Sequence, residues 1–305
     1  MLNLGLFGAH SGTSRFALQT SEMQPIHATQ HAENFPVASW LAPPEMRPAI
    51  VAIYRFARMA DDLADEGEVD PQTRLAGLAE CRRQLAAIAA GAADANDPIY
   101  GPLASTISRH RLSISLFEAL LSAFEQDVVQ TRWPDLEALT DYCSRSANPI
   151  GRLMLELVDI RDPSRLQASD AVCTALQRIN FLQDLQIDWH RGRLYLPQAE
   201  LDRFGVREAD IASSITGGLG ATASLRALLR LEHDRCLTLL RAGLPLAQSI
   251  PGRLGLEITA TIAGGAQLLR RFRRLDYDST LHRPVLRPLD WLMIGIRSLL
   301  RRPVP

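Results

Sequence analysis

The chain has 305 residues, 47% of them hydrophobic and 22% charged, with a formal net charge of -1; this suits a globular protein with a sizeable core and excludes the basic footprint of a nucleic-acid binder. All 33 basic residues are arginine, which excludes a Schiff-base, pyridoxal-phosphate or P-loop lysine. The four cysteines, Cys81, Cys143, Cys173 and Cys236, lie far apart with no Cys-x-x-Cys pair, so a reducing, cytoplasmic setting is expected, with neither disulfides nor zinc.

Residues 1–24 lack the basic start and cleavage signal of a signal peptide, and residues 1–26 are expected to form a poorly ordered extension. A single helical domain over 27–288 and a basic amphipathic segment over 289–305 should follow. Strand signals are nearly absent, and no apolar run reaches the ~18 residues of a membrane span. The first helix should begin after Pro43-Pro44 and stop at Gly67. Its apolar residues, among them Ile50, Ile53, Phe56 and Ala60, cover most of its circumference, which marks a buried helix. Tyr54, Arg58, Asp61 and Asp65 share one face of it at 4-3-4 spacing. Buried carboxylates need a partner or a metal. An isolated Asp-Asp-x-x-Asp is equally consistent with a solvated acidic helix end, since Asp65, Glu66 and Glu68 run into a loop.

Further helices are expected over Pro71–Ala90, Ser113–Thr131, Leu136–Val158, Ser169–His190, Ala221–Ile250 and Arg253–Leu275, with Gly192 to Pro197 extended. The Ser169–His190 helix carries a second line of oxygen donors, Gln177, Asn180, Asp184 and Asp188, at 3-4-4 spacing. Its other faces are apolar, so it too should be buried. Two such helices can face each other across a cavity in a bundle. Magnesium prefers oxygen ligands and binds through a few carboxylates plus substrate phosphates. The pair of motifs therefore points to a diphosphate site, where either one alone would be a weak signal.

The segment Asp61-Asp62-Leu63-Ala64-Asp65, led in by Ala52–Arg58, resembles the first aspartate-rich motif of squalene and phytoene synthases. Asn180-Phe-Leu-Gln-Asp184-Leu-Gln-Ile-Asp188, with Arg193-Leu-Tyr195-Leu-Pro197 behind it, resembles the second. The resemblance runs from about His31 to Asp278. It implies an all-α prenyltransferase-like bundle with a central cavity, and Mg²⁺ held by Asp61, Asp65, Asp184 and Asp188 with help from Asn180. Arg58 and Arg193 would contact diphosphate, with Tyr54, Gln177, Tyr195, Asn34 and Tyr277 as further substrate-binding residues. Condensing members usually carry Arg-Asp-x-x-Glu-Asp in the second motif; here Gln183 and Ile187 replace the arginine and the glutamate. The start at His31-Ala-Glu-Asn34 and the segment Tyr142-Cys-Ser-Arg-Ser-Ala-Asn148-Pro149 also depart from the common pattern. All three departures are similar to the bacterial hydroxysqualene synthases, which ionise presqualene diphosphate and quench the rearranged cation with water. Head-to-head condensation is the rival activity. A non-catalytic assembly factor of the same fold would show eroded aspartates, and here the outer acids are retained. The partners implied are presqualene diphosphate and neighbouring enzymes of squalene biosynthesis.

Phe124, Phe181 and Tyr277 are candidates for cavity lining or for plain core. Asp127, which recurs at a similar place in the bacterial hydroxysqualene synthases, is expected either to touch the metals or position water, or else to pair with Arg132. Glu232, His233 and Asp234 read as a solvated face, and Gly218-Leu-Gly220 as a loop, since no strand precedes it. The last segment, Asp290 to Arg302, combines a tryptophan, an apolar stripe and arginines. It reads either as a helix packed on the bundle or as a peripheral, membrane-interface helix.

Overall fold

Prolines and aspartates set the helix starts, and prolines or glycines end several of them. The computed structural model describes residues 43–67 and 69–300; Asn34 and the segment 1–26 lie outside the described residues. After a 3-10 turn at Pro44–Met46, α1 runs Arg47–Asp65. Helix α2 (Pro71–Ala89) is capped by Asp70, whose carboxylate accepts the Gln72 and Thr73 amides at 2.9 and 3.2 Å. Then come α3 (Tyr100–His110), α4 (Ile114–Val129), α5 (Leu136–Ser146), α6 (Asn148–Glu156), α7 (Pro163–Gln183) and α8 (Leu185–His190). The chain ends in α9 (Gln198–Phe204), α10 (Glu208–Ile215), α11 (Ala223–Ala242), α12 (Leu244–Ser249), α13 (Gly252–Arg274) and α14 (Pro288–Leu299). Among the described residues there is no strand, and one isolated bridge joins Arg132 to Leu194.

Three expected helices are each two. Leu136–Val158 breaks at Ala147 because Pro149 has no N–H to donate and restricts the residue before it. Ala221–Ile250 breaks at Gly243, where a Cβ would stand 2.2 Å from Val172 Cγ2. Ser169–His190 begins earlier, at Pro163 behind the Asp162 cap, and breaks at Asp184 (φ -102°, ψ 14°). Helices α3, α9 and α10 lie where no element was expected; α9 and α10 flank the left-handed Gly205.

Helix α7 is the axis of the molecule, packing against α5, α6, α11, α12 and α13. One apolar core joins α1 to α4 with α6, and it includes Phe124, which is therefore a core residue. A second gathers α7, α11, α13 and the chain from Leu194 to Ile215. Between them lies an aromatic group of Trp133, Tyr142, Phe181 and Tyr195.

The expectation of a solvated face at Glu232 and His233 is overturned, since both are buried and only Asp234 of the three is exposed. Glu232 pairs with the buried Arg178 and with Arg235, which also reaches Glu200 at 2.5 Å. These ions balance locally inside the α7–α11 contact, and removing one partner would leave a buried charge uncompensated. Helix α14 packs on α13 through Asp290, which accepts from Gln267 at 2.6 Å and from Arg271 at 2.7 and 2.9 Å.

The corner between α12 and α13 depends on Gly255, where a Cβ would lie 1.9 Å from the backbone oxygen of Ile250. A backbone oxygen cannot rotate away as a side-chain tip can. Gly255→Ala should therefore lower stability by about 1–3 kcal/mol, read as a reduced midpoint in urea unfolding.

Candidate active site

Asp61 and Asp65 occupy the last two turns of α1, and Asp184 caps the C-terminal end of α7. Helix C-termini carry partial negative charge, so these are unfavourable places for carboxylates. Burial adds to the cost: Asp61, Asp184 and Asp188 are 3%, 3% and 4% exposed. Arginines answer it. Arg193 donates to Asp65 at 2.5 Å and to the backbone oxygen of Asp127 at 3.2 Å, tying the extended segment after α8 to the ends of α1 and α4. Arg58 reaches Asp61 at 3.4 Å and Asp62 at 2.7 Å, with Tyr54 one turn before it on the same face. Burial works most strongly against the charged form of Arg193, but the hydrogen bond to Asp65 together with the electrostatic pull of Tyr195, Asp65 and Asp127 outweighs it and raises the guanidinium pKa.

Arg283 is the residue that sequence reasoning missed. It follows α13 by nine positions and pairs with both oxygens of Asp184, while the next residue, Pro284, accepts a 2.7 Å hydrogen bond from Gln183. Residues 283–284 thus form a strap across the end of α7. An arginine in a loop beyond the recognisable motifs carried no signal except its place in the basic run from Arg270.

Gln177 and Asn180 are buried in the same line as Asp184, and Gln177 Nε2 meets no hydrogen-bond partner among the described residues. Asp127 does not pair with Arg132, which takes Glu208 instead at 2.7 Å. Asp127 accepts from the Tyr142 hydroxyl at 2.7 Å and from Tyr195 at 3.3 Å. Phe181 stacks on Tyr195 with centroids 4.0 Å apart and planes 3° from parallel. Burial and the Asp127 charge push both tyrosines well above their ordinary pKa, so they stay neutral donors. Tyr277 stands elsewhere, edge-on to His233 and Phe272 in the second core.

Burial, and next the charge of Asp184, raise Asp188 to a pKa of about 7. An all-oxygen donor set under this electrostatic pressure fits a hard divalent cation. Among the described residues no three His, Cys, Asp or Glu side chains already converge as a metal site. Asp61, Asp65 and Asp184 are instead held by Arg58, Arg193 and Arg283.

A cavity of about 100 Å³ lies farther along the same two helices, lined by Met46, Ile50, Met154, Leu155, Val172 and Leu176 among others. Ile50 stands eleven residues before Asp61, roughly 16 Å along the helix at about 1.5 Å per residue. Acids thus lie toward the ends of α1 and α7, and hydrocarbon around their first halves.

The family model for squalene/phytoene synthase matches residues 28–290. The chain belongs to the squalene/phytoene synthase family. A hydroxysqualene synthase of Rhodopseudomonas palustris is 34% identical over 286 residues, covering 89% of each chain. Another from Zymomonas mobilis is 36% identical over 232 residues, covering 74% of each. The solved squalene synthase of Alicyclobacillus acidocaldarius superposes with a TM-score of 0.74 at 36% identity, over 81% of this chain and 90% of that one. The chain is therefore an isoprenoid synthase enzyme with this family's all-α fold.

The raised pKa of Asp188 has a signed consequence. Between about pH 4 and pH 7 the folded protein binds a proton that the unfolded chain releases, so this group's stabilising contribution is lost as pH rises through about 7. The metal-free protein should melt at a lower temperature at pH 8 than the same protein carrying Asp188→Asn, and the gap should narrow at pH 5. Scanning calorimetry in a chelator measures this; an equal gap at both pH values would contradict the assignment. Added Mg²⁺ should stabilise the unaltered protein more at pH 8 than at pH 5, since protons compete for the same oxygen.

Proposed function

We propose that this enzyme converts presqualene diphosphate to hydroxysqualene in a Mg²⁺-dependent reaction. The observation that carries this reading is the make-up of the second acidic line. Where condensing relatives are expected to have an arginine, Gln183 is buried and spends its amide on the Pro284 carbonyl. Where they have a further acid, Ile187 stands. The site is thus short of a cation and a carboxylate that handling a second diphosphate would use. The names of the relatives at 34–36% identity support the same branch.

Bound Mg²⁺ would supply electrostatic stabilisation of the departing diphosphate, held by Asp61, Asp65, Asp184 and Asp188 with Asn180 beside them. Arg58, Arg193 and Arg283 take the diphosphate oxygens, and Gln177 Nε2 adds a donor. The carbon–oxygen bond breaks with its electron pair leaving on the diphosphate. The hydrocarbon cation left behind then rearranges in a pocket that excludes bulk water. The faces of Phe181, Tyr195 and Tyr142 stabilise positive charge passing over them. The Asp127–Tyr142–Tyr195 group is the polar point in that aromatic wall, and orients the one water whose oxygen attacks the cation while its proton passes to the released diphosphate.

Substrate and product are both lipid-soluble, so the reading places the enzyme against a membrane surface. Among the described residues no helix is long and apolar enough to cross a membrane. A head-to-head condensing enzyme must supply the substrate.

Purified protein given presqualene diphosphate and Mg²⁺, without NADPH, should yield the alcohol by mass spectrometry. Squalene formed only with NADPH, and no alcohol, would overturn the branch; presqualene diphosphate formed from farnesyl diphosphate would favour condensation. Asp184→Asn should cost about a hundredfold or more in turnover with an unchanged circular-dichroism spectrum, and near-normal activity would remove Asp184 from the site.

A further inference from the structure

Helix α14 turns Asp290, Ile294 and Ser298 inward, and only these three of its residues are buried. The opposite side carries Leu289, Leu292, Met293, Ile296, Leu299 and Leu300, all exposed. With Trp291 they make seven of the fourteen exposed large hydrophobic residues among those described, within twelve consecutive positions. Exposed apolar residues are ordinary when scattered, but a continuous stripe marks a binding surface.

Beside the stripe lies an uncompensated group of positive charges. Arg270 and Arg274 end α13, and Arg297 stands on α14. Arg270 Nη2 and Arg297 Nη1 are shielded from water and meet no hydrogen-bond partner among the described residues. Arg270 Nη1 donates a 2.9 Å hydrogen bond to the side-chain oxygen of Gln267, a neutral group. Burial, then the charges of Arg297 and Arg274, hold Arg270 below its ordinary pKa. Over residues 270–305 the sequence has nine arginines and three aspartates; two of those acids, Asp276 and Asp278, pair with Arg226, and Asp290 is taken by Arg271.

We propose that α14 docks on an anionic phospholipid surface, its leucine stripe lying among the acyl chains, the exposed Arg274 meeting lipid phosphates and the half-buried Arg270 and Arg297 adding positive charge beside it. The apolar stripe and the guanidinium charge then meet their complements at one surface. A second copy of this chain is a poor occupant, because a two-fold contact sets a patch against itself and would bring the arginine groups of both copies together. At twelve residues, roughly 18 Å, the helix lies on the membrane and does not cross it. The inference deepens the functional reading by naming the face through which a lipid substrate arrives, and its test measures binding apart from turnover.

The test is flotation of the full chain with phosphatidylcholine vesicles, with and without phosphatidylglycerol, at low and high salt. The protein should float with the anionic vesicles at low salt. Leu292→Asp/Ile296→Asp, whose sites are 61% and 43% exposed, should lose binding at least about tenfold, and Arg270→Gln/Arg297→Gln should lose the preference for anionic lipid. Both variants should turn over detergent-dispersed presqualene diphosphate at the normal rate. No binding by the unaltered chain, or equal binding by the aspartate variant, would overturn the proposal. So would a dimer, seen by sedimentation without vesicles, that Leu292→Asp/Ile296→Asp dissolves. A chain that floats but forms no alcohol fails the functional reading alone; one that forms alcohol but ignores vesicles fails this inference alone.

Discussion

Carboxylates buried at the C-terminal ends of helices are the constraint on which this structure turns. Desolvation and the helix dipole both oppose charge there, and without lysine the whole answer falls to arginine. Arg193 and Arg283 answer it from outside the acid-bearing helices, one from the extended segment after α8 and one from the strap after α13. Each draws a separate piece of chain onto the site. A guanidinium can grip a carboxylate or a phosphate with the same planar fork.

Polarity is graded along the axis of α1 and α7. Ile50 and Val172, in their first halves, line one apolar cavity, and their last turns carry the acids held by Arg193 and Arg283. Helix α1 keeps Pro48, Arg55 and Leu63 exposed on its outer side, and α7 is exposed only in its first turns and buried from Gln177 onward. The aromatic group of Trp133, Tyr142, Phe181 and Tyr195 sits between the two main cores.

The all-α class, the burial of both acidic helices and the joint motif were legible in the sequence because periodicity of 3.6 and spacing by turns are local properties. The bend at Asp184 was not. No proline or glycine marks it, and the residues on either side of the break are tied to a strap about a hundred positions away. Glu232 and His233 misled for a related reason: two charged-looking residues in a row suggest solvent, and only the three-dimensional placement of Arg178 shows a buried partner. Pro149 and Gly243, by contrast, are breakers whose local signal was present and was outweighed by the long apolar pattern around them. Asp127 stood close to Arg132 in sequence, yet the tyrosines that hold it come from α5 and from the segment after α8.

The strap has a further consequence for the order in which the molecule can be made. Gln183 and Pro284 are separated by 101 residues, and Asp184 and Arg283 by 99. Contacts of such long sequence separation close late, since the intervening chain must be ordered first. A chain emerging from the ribosome displays all four acids well before the arginine and carbonyl that complete the second line exist outside the tunnel. The strap is thus made after the helices it fastens. A chain stopped in α13 would have most of its helices and still lack the fastening that sets Asp184 in place.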